Sequence, residues 1–140
     1  RDAEFQVLAR HLGGFDPRDL AGAGIRPVAS AADLVAARAQ VATVTVAPEV
    51  AAYVVDLVRA TRTSPSLRLG VSPRGAIALV TSARAWAWLS GRDYVSPDDV
   101  KALASSVLRH RLLLSPAAEI EGKQVEALVA EMVEQTEAPR

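Results

Sequence analysis

Cysteine is absent from the 140 residues, which excludes disulfides, thiolate metal centres and cysteine nucleophiles. Net charge is absent too: 16 basic residues balance 16 acidic ones, so no general attraction to nucleic acid or an anionic membrane follows. No apolar run approaches the roughly 20 residues that span a bilayer. No signal-peptide pattern opens the chain, so a soluble, cytoplasmic protein without membrane insertion is expected. Glycine-rich phosphate loops, GxSxG and HExxH are all missing, and the chain taken alone is not expected to catalyse a reaction. His11 and His110 fall on different helices without ligand partners at metal spacing, and read as surface or helix-end residues. Glu119 and Glu121 lie in a loop and match no ligand pattern.

Half of the residues are hydrophobic, enough for a folded core rather than a disordered chain. The centre of that core is read at Leu69-Gly70-Val71-Ser72-Pro73-Arg74-Gly75 and the apolar stretch from Ala76 to Ser90. Ser72 suits an N-cap, and Pro73 suits the first helical position, where its missing N–H costs nothing. Arg74 then falls in the first turn, where the helix dipole disfavours a cation by about 0.3–1 kcal/mol. A cation beside free N–H groups suits a site where an anion such as phosphate docks, although spacing alone favours a plain surface arginine. Ala76, Leu79, Val80, Ala83 and Trp86 make one stripe, with Ile77 and Trp88 on a second. A helix apolar on nearly all sides predicts burial in the middle of a bundle.

Around it the chain reads as helices. Phe5, Leu8 and Leu12 give helical spacing over residues 2–12, closed by Gly13-Gly14. Ser30 can cap a helix carrying Leu34, Arg38 and Val41. Val50, Tyr53, Val54, Leu57 and Val58 match the amphipathic template in full. Ser96-Pro97-Asp98-Asp99 is the clearest start signal, and capping accounts for both acids. Val125, Leu128, Val129, Met132 and Val133 mark the last helix. Thr43-Val44-Thr45-Val46 alternates like a strand, and it is expected to pair with residues 111–114 as a small ribbon. Residues 115–122 read as a loop. The expectation is an all-α, five- to six-helix bundle. Arg59, Arg62, Arg68 and Arg74 lie close in sequence, but without interleaved aromatics they read as solvated arginines, and no nucleic-acid partner is expected.

The segments 69–75 and Gly91-Arg92-Asp93-Tyr94-Val95-Ser96-Pro97-Asp98-Asp99-Val100-Lys101 resemble the C-terminal lid of MoxR-type AAA+ ATPases. Residues 53–62 and Val107 to Leu112 fit the same pattern, so the resemblance spans most of residues 4–135. It implies one lid domain over 1–140: a helix at 1–13 leading from an ATPase core, a loop at 14–30 and a helical lid at 31–135. It further implies ATP and Mg2+ in the parent protein, a homo-oligomeric ring (a hexamer), a chaperone-like motor and a partner with a von Willebrand factor A domain. By the Ser-Pro-Arg match the sensor-2 role falls on Arg74 beside Ser72, with Tyr53 and Val54 lining the adenine side. This sequence departs from the family where Val71 replaces a small residue and Gly75 replaces alanine. Walker A and B motifs, sensor 1 and an arginine finger are not among these residues. A helical protein-interaction module that never meets nucleotide is the alternative.

Overall fold

Pro48 opens a helix whose residues 50, 53, 54, 57, 58 and 61 are all buried, as the amphipathic spacing predicts. In the computed structural model, which describes residues 1–139, this is α3 (Pro48–Thr63). The other helices are α1 (Asp2–Leu12), α2 (Ala31–Thr43), α4 (Pro73–Leu89), α5 (Pro97–Leu108), α6 (Pro116–Ile120) and α7 (Val125–Gln135). Two short strands, β1 (Leu67–Leu69) and β2 (Leu113–Leu114), complete the set. None of these helices is long and apolar enough to cross a membrane.

The chain divides into two units, residues 1–36 and 37–140. The first contains α1, a turn-rich connection and the start of α2, and none of its residues is buried. Phe5, Leu8 and Leu12 lie exposed along α1. The start of α2 is held by a reciprocal cap: Asp33 N–H donates to Ser30 Oγ at 3.2 Å, and Ser30 N–H donates to the Asp33 carboxylate at 2.8 Å.

The second unit holds the core. Val54, Leu57 and Val58 of α3 meet Leu79 and Ala83 of α4, Val100, Ala104 and Leu108 of α5, and Val129 of α7 in one cluster. α4 and α5 are joined by Gly91, whose φ of +74° lets Arg92 N–H reach back to the Ala87 carbonyl at 2.9 Å. α4 differs from the expectation of all-round burial. It buries one face, Gly75, Leu79, Ala83 and Ala87, whose mostly small side chains admit the neighbouring helices closely. Ile77, Trp86 and Leu89 are left exposed on the others.

Two further corrections concern the second half of the chain. The ribbon forms antiparallel, but Leu113–Leu114 pairs with Leu67–Leu69 instead of residues 43–46. The turn after α3 carries 67–69 beside the chain leaving α5, and Ser115 N–H donates to the Ser66 carbonyl at 2.9 Å. Thr45 instead makes an isolated parallel bridge to Tyr94, with Thr45 N–H donating to Asp93 and Val95 N–H donating to Thr45. The stretch 115–122, read as a loop, holds α6, which makes seven α-helices among the described residues of the expected helical bundle. Ser115-Pro116 repeats the Ser-Pro start, and Ser115 Oγ accepts from Ala118 N–H at 3.4 Å.

Candidate functional site at the start of helix α4

Three contacts place the first turn of α4. A Cβ on Gly70 would lie 2.6 Å from the Thr61 carbonyl oxygen and 2.7 Å from Arg62 Cα, so only glycine lets the loop approach the end of α3 this closely. One residue on, Val71 N–H donates to the buried Thr61 Oγ1 at 2.9 Å, and that hydroxyl donates in turn to the Val58 carbonyl. Val71 itself is fully buried, with its Cγ1 in the space a Cβ on Gly75 would occupy. The backbone entering α4 is therefore held on both sides, and the exposed residues that follow are carried on a rigid base.

Those exposed residues are Ser72, Pro73 and Arg74. Ser72 occupies the N-cap position in an extended conformation, but its side chain accepts no hydrogen bond from the helix. Ser96 and Ser115, at the head of α5 and α6, both do accept one. The first turn of α4 also contains no acidic residue. Among the described residues Arg74 has no ion pair and no side-chain hydrogen bond. The Arg74 guanidinium thus faces solvent at a first turn where Pro73 has no N–H and the Gly75 N–H donates to the Ser72 carbonyl at 2.8 Å, so the exposed positive charge there is mainly that of the arginine side chain.

The Gly91–Asp99 motif has a structural role instead. Arg92 donates both terminal nitrogens to the Asp99 carboxylate, at 2.7 and 2.5 Å. Asp99 also accepts from Ser96 N–H at 2.8 Å, and returns its own N–H to Ser96 Oγ in a capping box. The Arg92 hydrogen bonds, then those from Ser96, hold the buried Asp99 carboxyl below the usual carboxylate range against the opposing effect of burial. That bond to Asp99 raises the Arg92 guanidinium above its ordinary value. Arg92 further lies over the Tyr94 ring, 5.8 Å from its centroid. The capping was legible from Ser96 and Asp99. The arginine clamp was not, because it spans seven residues across a helix-to-helix turn.

Tyr53 and Val54 lie in the core, 2% and 1% exposed. The Tyr53 hydroxyl is buried without a hydrogen-bond partner, and burial, then Glu134 and Asp98, push its pKa above the ordinary phenol value. A recess of about 420 Å3 borders it, lined also by Glu49, Asp56 and Glu137. Another, of about 600 Å3, lies at the far end of α4 between Gln40, Trp88 and Asp93. There Trp88 Nε1 donates to Gln40 Oε1 at 3.0 Å, while Trp86 is 47% exposed. Arg59, Arg62 and Arg68 are exposed like Arg74. His11 and His110 are exposed as well, and no metal-holding group of histidine, cysteine or carboxylate side chains occurs among the described residues.

The AAA lid domain family model matches residues 59–132, a stretch that contains α4, the ribbon and both Ser-Pro helix starts after it. The uncharacterized protein YeaC of Bacillus subtilis is 43% identical over 82% of this chain and 36% of its own length. Protein MoxR of Paracoccus denitrificans is 42% identical over 62% of this chain and 29% of its own. Chaperone MoxR1 of Mycobacterium tuberculosis is 42% identical over 45% and 19%. A crystal structure from Cytophaga hutchinsonii, of a protein described as an ATPase, superposes with a TM-score of 0.78 at 26% identity. It matches all of this chain and 44% of that one. The chain thus spans about a third or less of the curated relatives it matches. A family match covering more than half the chain, relatives named MoxR and the shared helical fold lead to one assignment: the chain belongs to the AAA lid domain family, as a lid segment of the MoxR type.

Proposed function

We propose that this lid closes over ATP held by the AAA+ core of its parent protein, and that Arg74 reaches the phosphates as the sensor-2 arginine. The observation that carries the reading is the state of the α4 start: an exposed, unpaired arginine above an uncapped first turn, on a backbone pinned by Gly70, Thr61 and Val71. Pinning matters because a phosphate contact made only when the lid closes requires the arginine to move with the whole domain. Ser72, exposed at the N-cap position two residues before Arg74, supplies a hydroxyl to that wall. Tyr53 and Val54 act from within, setting the position of α3 on the adenine side. ATP is the substrate, Mg2+ neutralises its phosphates, and the remaining catalytic groups belong to the core.

In this reading residues 1–13 form the helix leading from that core. The parent works as a homo-oligomeric, hexameric ring in the cytoplasm, as a chaperone-like ATPase, and a von Willebrand factor A-domain protein is its partner. Arg74→Ala in the full-length parent tests the central point. ATPase turnover is expected to fall at least tenfold while the lid's thermal transition stays within a few degrees. An unchanged turnover would remove the nucleotide role and leave a helical protein-interaction module.

A further inference from the structure

Arg111 lies against the same turn of α4. A Cβ on Gly75, the residue after Arg74, would stand 3.5 Å from Arg111 Cδ, so the arginine stem runs along that first turn. Arg111 sits at the end of the 3-10 turn Arg109–Arg111 that continues α5. Its Nε donates to the Val107 carbonyl at 3.2 Å, which fixes the guanidinium plane. Leu112, next in the chain, is buried, and Leu113–Leu114 is bound into the ribbon with Leu67–Leu69. That ribbon runs directly into Gly70 and the start of α4. Both ends of the connection between Arg111 and Arg74 are thus fixed.

Its partners set Arg111 apart from its neighbour. Arg109, two residues earlier on the same turn, pairs with Glu126 at 3.1 Å. Arg111 is half-buried, yet among the described residues it has no carboxylate partner, and its terminal nitrogens donate to no protein acceptor. The stem and Nε are held in place while the terminal nitrogens stay accessible and without a counter-charge, which leaves the fixed fork free to take an anion. We propose that Arg111 is a second phosphate-binding arginine, contacting the same nucleotide phosphates as Arg74 when the lid closes. The proposal rests on the sensor-2 reading for the identity of its ligand, and goes beyond it by naming a residue from a different element.

The test uses the full-length parent ATPase and ATP itself, with affinity read from KM and from displacement of a fluorescent ATP analogue. Arg111→Met keeps the stem that packs on α4 and removes the charge. It is expected to raise KM and Kd for ATP about five- to tenfold, with kcat changing less. Arg111→Lys is expected to recover part of that loss. Arg109→Ala, which removes an equal charge from the same turn, is expected to leave both constants within twofold. Wild-type affinity in a folded R111M protein overturns the proposal, as does an equal loss in R109A, which would reveal a general field effect. Should R111M lose its cooperative thermal transition, Arg111→Gln takes its place with the same expected rise. The two readings separate cleanly. A loss of activity in R74A with an unaltered R111M rejects Arg111 alone, whereas a neutral R74A with weakened R111M rejects the role of Arg74 and retains that of Arg111.

Discussion

The Cγ1 methyl of Val71 fills the space that a Cβ on Gly75 would need. Val71 and Gly75 therefore share one space: the bulk of the valine leaves no room for a side chain at 75. Glycine costs α4 up to about 1 kcal/mol of helix propensity relative to alanine. Overpacking a buried valine costs more, about 1–3 kcal/mol.

Gly75→Ala is accordingly expected to destabilise the chain by about 1–2 kcal/mol despite its better propensity. Val71→Ala, which opens a cavity, is expected to cost about 2 kcal/mol. The V71A/G75A double variant is expected to be more stable than the sum of the two, by at least about 0.5 kcal/mol. Urea unfolding of the four proteins measures that coupling, and strict additivity would show that the pair is independent.

Thr61 links α3 to the site. Thr61→Val keeps the shape but leaves the Val71 N–H without its acceptor, and a loss of about 1–3 kcal/mol is expected. Thr61→Ser keeps the oxygen and should lose much less. Equal stability for the valine variant and wild type, by thermal unfolding, would show that this hydrogen bond does not anchor the loop.

Acid should weaken the fold through Asp99. Its carboxyl titrates below the ordinary value when folded, so its stabilisation is fully present above the unfolded pKa of about 4 and is lost as pH falls through the lower, folded value. Asp99→Ala removes the cap and leaves Arg92 without its carboxylate, and a loss of about 2–3 kcal/mol at neutral pH is expected. The variant should also lose less stability than wild type between pH 5 and pH 3, values chosen to bracket the roughly 3.9 of an ordinary aspartate. Parallel pH profiles for the two proteins would contradict the assignment.

Tyr53 gives the opposite expectation. Its hydroxyl is buried without a partner, so Tyr53→Phe should be neutral or stabilising by up to about 1 kcal/mol. In the native protein the phenol should ionise only above its ordinary value, since burial and the nearby Glu134 and Asp98 oppose a negative charge. A clear loss of stability in the phenylalanine variant would mean the hydroxyl has a partner after all.

Local signals in the sequence carried far. The face of α3 from Val50 to Thr61, the Ser30 and Ser96 caps and the Pro73 start of α4 depend on residues within a turn or two of each other, where spacing and side-chain chemistry suffice. Arg74 was legible for the same reason, as a cation misplaced in a first turn. α6 gives no such periodicity, since it has only five residues, although Ser115-Pro116 repeats the Ser-Pro start.

What remained hidden depended on segments distant in the chain. Thr43–Val46 and Leu67–Leu69 are equally strand-like, and only the packing of the helices decides which reaches Leu113–Leu114. The apolar surplus of α4 could not reveal which face its neighbours would cover. Arg111 meets Gly75 across thirty-six positions of sequence, a proximity created by the ribbon and the end of α5. By itself, then, the sequence determined the helices, their caps and the outward arginine, since these follow from short-range hydrogen bonding and periodicity. The tertiary structure alone decided the strand pairing, the exposed faces and the approach of Arg111 to Gly75, since only closed packing determines which distant groups share a surface.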